Sequence, residues 1–352
     1  MATPESFHPT RRHFLQGAGA ATAALALSPR RPASAQAASR IVLGTWGGDY
    51  SKLLTKNVEA HLAPRKIQVE HAIGGDPERR AKLLAEARLP RGTSDLQALS
   101  AANMFEMKEA GVLETLDYGK IENARNLLPQ MRYPYGVGHI YSGKVILFNP
   151  KMIGQAPTSF ADTLDPKHGE KLGIIDIQYQ FTMMAAALAS GGSMSSFEPG
   201  KERLLAVKKA GVRIYPTNEA LAQALKNEEI GICIMWKARA VQWQNAGITV
   251  ETVAAKEGVP LYVSGFAIPK NAQNKDGAYA YLNAMLEPSA QEGFAQDMGY
   301  NPTVKNAKVP EATQKRIGFT TDEQQRLKDL DYAYIAKNDS ALKEWWDKVF
   351  KG

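Results

Sequence analysis

The feature that most constrains this chain is an alternation of short β-like runs with amphipathic helical stretches, beginning at Ile41. Ile41-Val42-Leu43-Gly44 predicts a strand, and Ser51 to Leu62 a helix with Leu53, Leu54, Val58 and Leu62 on one face. Ile67 to His71 predicts a second strand and Pro77 to Ala87 a second helix. Asp95 to Leu99 predicts a third strand, followed by a helix over Ala102 to Ala110 that stops at Gly111. Strands of this kind bury both faces only when helices cover the sheet, so the rhythm specifies an α/β domain with a largely parallel sheet.

A second α/β unit follows. Gly138 to Asn149 holds two strand-like pieces closed by Pro150, and Leu172 to Asp176 predicts a strand. Helices are predicted over Thr182 to Ala189, Lys201 to Ala210 and Thr217 to Asn227, with Arg213-Ile214-Tyr215 and the run around Cys233 as strands. Gly265 to Pro269 reads as a return segment, followed by helices over Asp276–Leu286 and Ser289–Met298. The tail from Asp322 to Phe350 reads as helical, rich in charge and aromatics.

The first 37 residues have a different character. Arg11-Arg12 precedes Phe14-Leu15, an Ala/Gly-rich run extends from Gly17 to Leu27, and Ala35-Gln36-Ala37 offers small residues for cleavage. This order is that of a twin-arginine export signal, engaging the twin-arginine translocase during export. Its apolar run is too short for a stable anchor, which needs about 20 residues. The mature chain is therefore expected outside the cytoplasm, and the absence of a second long apolar run predicts a soluble one.

Composition then narrows the function. The formal net charge is +7, and removing residues 1–37, with four arginines against one glutamate, leaves +4 with the signs interspersed. No polybasic block for nucleic acid or anionic lipid results. The single cysteine, Cys233, rules out an internal disulfide framework and lies in an apolar run, which predicts a buried, inert thiol. No zinc spacing, Ser-centred elbow or phosphate loop is present, so no catalytic residue, metal or cofactor is assigned. Binding is the chemistry left.

Four segments carry a resemblance: Leu43-Gly44-Thr45-Trp46-Gly47-Gly48-Asp49-Tyr50, Pro157 to Pro166, Gly231 to Trp236, and Tyr262 to Ala272 continued by Asn274 to Ala278 and Gly299 to Thr303. In this order and spacing the chain resembles periplasmic solute-binding proteins of ABC importers, in the branch of spermidine/putrescine-binding proteins. The resemblance implies an α/β, type II periplasmic-binding-protein fold: two lobes, each a mixed sheet flanked by helices, with the cleft between them. Residues 38–148 plus 267–310 would form lobe 1 and 149–266 lobe 2, with 311–352 as C-terminal helices packing across both. It further implies a periplasmic monomer that closes over a small-molecule solute and meets the permease subunits of its importer.

Ligands of open α/β sheets lie beyond the carboxyl ends of the strands, so loops just after strands are the candidates. These give Trp46, Asp49, Asn103, Asp176, Gln178, Tyr179, Trp236, Lys237, Arg239, Tyr262 and Ser264. Trp46 and Trp236 read as aromatic walls or as ordinary packing. Gly47-Gly48 reads as a close approach to ligand or as a turn. Polyamine sites hold ammonium groups with carboxylates and π faces. The resemblance places acids near Ser264 and Gln180, and both positions are neutral here. Asp49 and Asp176 remain as partners for a cation, while Lys237 and Arg239 open a helix where an anion is favoured. A solvated helix face accounts for that basic pair equally well. The ligand indicated is an amino-acid-derived, opine-like or other carboxylate-bearing solute. A polyamine proper is the alternative. Tyr133 and Tyr135 are the nearest pair for a ferric carrier, and His139 with Asp176 the nearest acid/base pair for an enzyme.

Overall fold

The computed structural model describes residues 39–352, so the twin-arginine segment lies outside the described residues. The first strand, β1 (Ser39–Thr45), leads through a Gly47-Gly48 turn into α1 (Asp49–Asn57). Gly48 sits at φ +67°, where a side chain would be strained, and a Cβ on Gly47 would meet Ile73 at 2.9 Å. The pair therefore serves the turn. After β2 (Ile67–Ile73), α2 (Asp76–Glu86), β3 (Leu96–Ser100) and α3 (Ala101–Glu109) complete the first unit. Ser100 caps α3 by accepting from the Asn103 amide at 3.2 Å.

Gly136 to Phe148 is one continuous strand, β4, where the sequence reads as two pieces. Within it, a Cβ at Gly143 would lie 2.4 Å from Val259 and 2.8 Å from Phe319, so glycine there lets the strand run close to its neighbours without breaking. Then follow β5 (Leu172–Ile175), α4 (Tyr179–Leu188), α5 (Lys201–Lys209), β6 (Arg213–Tyr215), α6 (Asn218–Lys226), β7 (Ile232–Trp236) and α7 (Lys237–Asn245). A long strand, β8 (Val259–Ala267), precedes α8 (Lys275–Ala284) and α9 (Pro288–Met298).

The strands run in the order β2-β1-β3-β8-β4-β7-β5-β6. Pairs at the two ends are parallel, as the βαβ rhythm requires, and the central pairs involving β8 and β4 are antiparallel. Residues Val137 and Ile140 of β4 belong to a core with Leu43, Leu99 and Phe266. Beyond Gly143 the same strand changes company. Ile146 and Phe148 pack with Leu172, Ile174 and Met184, while Val145 and Leu147, on the other face, pack with Cys233, Met235 and Leu225. The carboxyl ends of strands from both halves face the space between these cores.

The tail is largely helical, as the sequence reads, with one short paired segment inside it. Leu327 and Lys328 pair alongside Val259 and Pro260, and only then does α10 (Tyr332–Trp345) begin, continuing as a wider turn over Trp346–Lys351. Its Tyr332 ring lies 6.2 Å from Phe105 of α3, and its Asp339 accepts from the Tyr179 hydroxyl of α4. Trp243 and Trp346 are buried packing residues, and no helix among the described residues is long and apolar enough to cross a membrane. Cys233 is fully buried, and burial pushes its thiol up to about 12.

Candidate functional site

A cleft of about 1650 Å³ separates the two halves of the sheet. On the β1 side, Trp46 follows the end of β1, Asp76 opens α2 and Asn103 lies in the first turn of α3. Asp76 accepts from Arg79 at 2.6 Å and from Asn103 at 2.9 Å, and the Arg79 guanidinium lies 4.8 Å from the Trp46 ring centre. Burial raises the Asp76 carboxyl, opposed by Arg79 and Arg80. One π face of Trp46 is thus taken by a cation of the protein itself. Asp49 is at the rim, its side chain 88% exposed and 3.9 Å from Lys52.

Across the cleft, Gln178, Tyr179, Trp236 and Arg239 come from the ends of β5 and β7 and the starts of α4 and α7. Tyr262 and Ser264 of β8 and Tyr300 complete the floor. The Tyr262 ring lies 4.8 Å from Trp236 and 6.0 Å from Tyr300. Ser264 is buried, and its hydroxyl has no hydrogen-bond partner among the described residues. The Arg239 guanidinium donates to Gln242 at 3.0 Å, its Nε has no partner, and it forms no ion pair among the described residues. From α10, Asp339 faces the cleft and accepts from Gln180 at 2.5 Å as well as from Tyr179.

Two predicted residues lie elsewhere. Asp176 turns away from the cleft: Trp346 Nε1 donates to it at 2.7 Å and Lys351 Nζ at 2.9 Å. Burial pushes its carboxyl up, but those hydrogen bonds outweigh burial and hold it below its usual range. Lys237 donates to the Gly318 carbonyl and rests 4.7 Å from the Phe319 ring. Residues two apart on a helix face different ways, so Lys237 and Arg239 cannot both enter the cleft. The other nine predicted residues line it.

The competing pairs do not assemble. His139 is fully buried with Nδ1 3.1 Å from the Tyr50 hydroxyl, and burial drives its imidazole down to about 3, away from Asp176. The Tyr133 and Tyr135 rings lie 5.8 Å apart, tilted to one another, outside the cleft lining.

Sequence reasoning passed over Asp76, Asp339 and Lys144. Asp76 carries a local signal, Gly74-Gly75-Asp76-Pro77 at a helix start. Asp339 carries none, because the tail's position over the cleft is a tertiary fact. Lys144 is a lone charge in an otherwise apolar strand.

The comparisons with known proteins agree with this architecture. The chain belongs to the bacterial extracellular solute-binding protein family, whose sequence model matches residues 57–321. The signal sequence of the twin-arginine translocation pathway matches residues 8–28, and the protein is periplasmic. The spermidine/putrescine-binding periplasmic protein of Salmonella typhimurium is 27% identical over 219 residues, 59% of this chain and 63% of the relative. The chain therefore spans just under two thirds of the length of that relative. A putrescine-binding periplasmic protein of Pseudomonas aeruginosa is 25% identical over 366 residues, 94% of this chain and 97% of the relative. Among solved structures, a GABA receptor superposes with a TM-score of 0.78 at 21% identity, over 89% of this chain and 98% of that one. This likeness shows the fold, that of type II periplasmic binding proteins.

Proposed function

We propose that this protein captures a small zwitterionic solute, amino-acid-derived or opine-like, and hands it to the permease subunits of an ABC importer. The observation that carries the reading is a pair of opposite charges in one cleft, Arg239 and Asp339, neither in an ion pair among the described residues. A ligand carboxylate suits the guanidinium, whose Nε has no partner, and the free Ser264 hydroxyl is a further donor. A ligand amine suits Asp339. Lobes assigned as 38–148 plus 267–310 and 149–266 close over the solute because both contribute contacts, and closure selects the form that the permease recognises.

The second reading is a polyamine binder proper. Asp76 and Asp339 in the cleft favour it, as do the names of the relatives. Isothermal titration calorimetry of γ-aminobutyrate, putrescine and spermidine against the mature protein separates the two. The zwitterion is expected to bind more tightly; tighter binding of either polyamine than of any carboxylate-bearing amine overturns the reading.

A further inference from the structure

We propose that Lys144 is a specificity-determining residue, a built-in cation that holds ligand ammonium groups away from the Trp236 end of the cleft. The inference rests on the cleft being a solute site, and it concerns charge selection within that site.

Lys144 stands opposite Trp236 in the β4–β7 register and is 2% exposed. Its ammonium lies 4.0 Å from the Trp236 ring centre and 5.5 Å from that of Phe181, and it donates to Gln178 Oε1. It forms no ion pair among the described residues, and the titratable group acting on it is the Cys233 thiol of β7. The rest of the Trp236 ring is enclosed by Tyr262 at 4.8 Å and by the Phe181 ring, edge-on at 4.5 Å.

Three consequences follow for a ligand. Trp236 lines the cleft, and one π face of its ring already carries an ammonium from the protein itself. Lys144 has no carboxylate to neutralise it, unlike Arg79 over Trp46, which Asp76 pairs at 2.6 Å. Its field therefore reaches the cleft, and repulsion between cations is far stronger in a buried site than in water. Gln178 carries the same bias: its carbonyl accepts from Lys144 and its amide donates to Asn218 at 2.6 Å, and both amide side chains line the cleft. A ligand anion at this end meets a polarised amide relay, whereas a second ammonium meets an unscreened charge.

The test is calorimetry of putrescine and γ-aminobutyrate against the wild type, Lys144→Met and Lys144→Arg. Methionine keeps the aliphatic stem against the rings and removes the charge; Lys144→Gln replaces it if that variant does not fold. At pH 6, where the Lys144 ammonium is held charged, the neutral variant is expected to bind putrescine roughly tenfold more tightly than the wild type, the factor that about 1.4 kcal/mol of relieved repulsion gives. Its affinity for γ-aminobutyrate should not rise, and Lys144→Arg should keep the wild-type preference. A folded neutral variant with no gain for putrescine overturns the proposal. If the wild type binds no zwitterion but the neutral variant still gains putrescine affinity, the zwitterion reading falls and the role of Lys144 stands.

Discussion

The Trp346 indole donates to Asp176 Oδ1 at 2.7 Å, and Lys351 Nζ meets the other oxygen at 2.9 Å. A carboxylate that follows a strand in the manner of a ligand-binding residue is thereby committed to anchoring the chain's last turn. Asp176→Ala should destabilise the protein by about 1–3 kcal/mol, the range for losing charge-assisted hydrogen bonds, while solute affinity stays within twofold. Because the folded carboxyl is held below its unfolded value, this stabilisation is present above the unfolded pKa and lost as pH falls through the folded one. Urea unfolding of both proteins at pH 7 and pH 3 reads it, with the difference between them shrinking at pH 3.

Lys144 gives a pH trend of the same sign in a higher window. Burial drives its ammonium down to about 7, so between there and the unfolded lysine value the unfolded chain binds the extra proton. Stability should therefore rise with pH from about 7 towards 9.5, with a slope approaching about 1.4 kcal/mol per unit from this group. Lys144→Met should lack that increment when unfolding free energies are compared across the window. Equal slopes in the two proteins would contradict it.

Ser264 separates binding from folding. Its hydroxyl is buried without a partner, so Ser264→Ala removes no internal hydrogen bond and should change unfolding free energy by less than about 0.5 kcal/mol. The same variant should weaken binding of a carboxylate-bearing ligand roughly tenfold, a value typical of one lost hydrogen bond to a charged group. Parallel thermal melts and titrations check both halves.

Arg239 should govern the ligand's anionic end. Arg239→Gln keeps a donor for Gln242 and removes the unpaired cation, and should lower affinity for a zwitterion by about 10- to 100-fold. Putrescine binding should be unchanged or improved. A proportionate loss for both ligands in titration would show that Arg239 acts through the fold and not on the carboxylate.

Much of the architecture was legible because period and punctuation are local. Ile41, Leu43, Leu54 and Val58 are all fully buried where the alternation predicts, and the return segment at Gly265 is the end of β8. The two pieces expected over Gly138 to Asn149 form one strand, because Gly143 marks a close crossing with Val259 and Phe319, which only those tertiary neighbours distinguish from a break. Lys237 and Asp176 have partners outside the cleft lining, because being just after a strand sets a position in the chain and leaves the direction of the side chain open. Asp339 was beyond reach, since its place in the cleft depends on how α10 docks against α3 and α4. The neutral residues at Ser264 and Gln180 pointed away from a polyamine site, yet Asp339 stands beside Gln180 and returns an acid to that end.

The most direct test of the central claim is native mass spectrometry of the periplasmic protein with the solute it carries through purification, followed by release and identification of that solute. The expected result is a bound compound with both an amine and a carboxylate. A bound putrescine or spermidine, with no carboxylate, would contradict it.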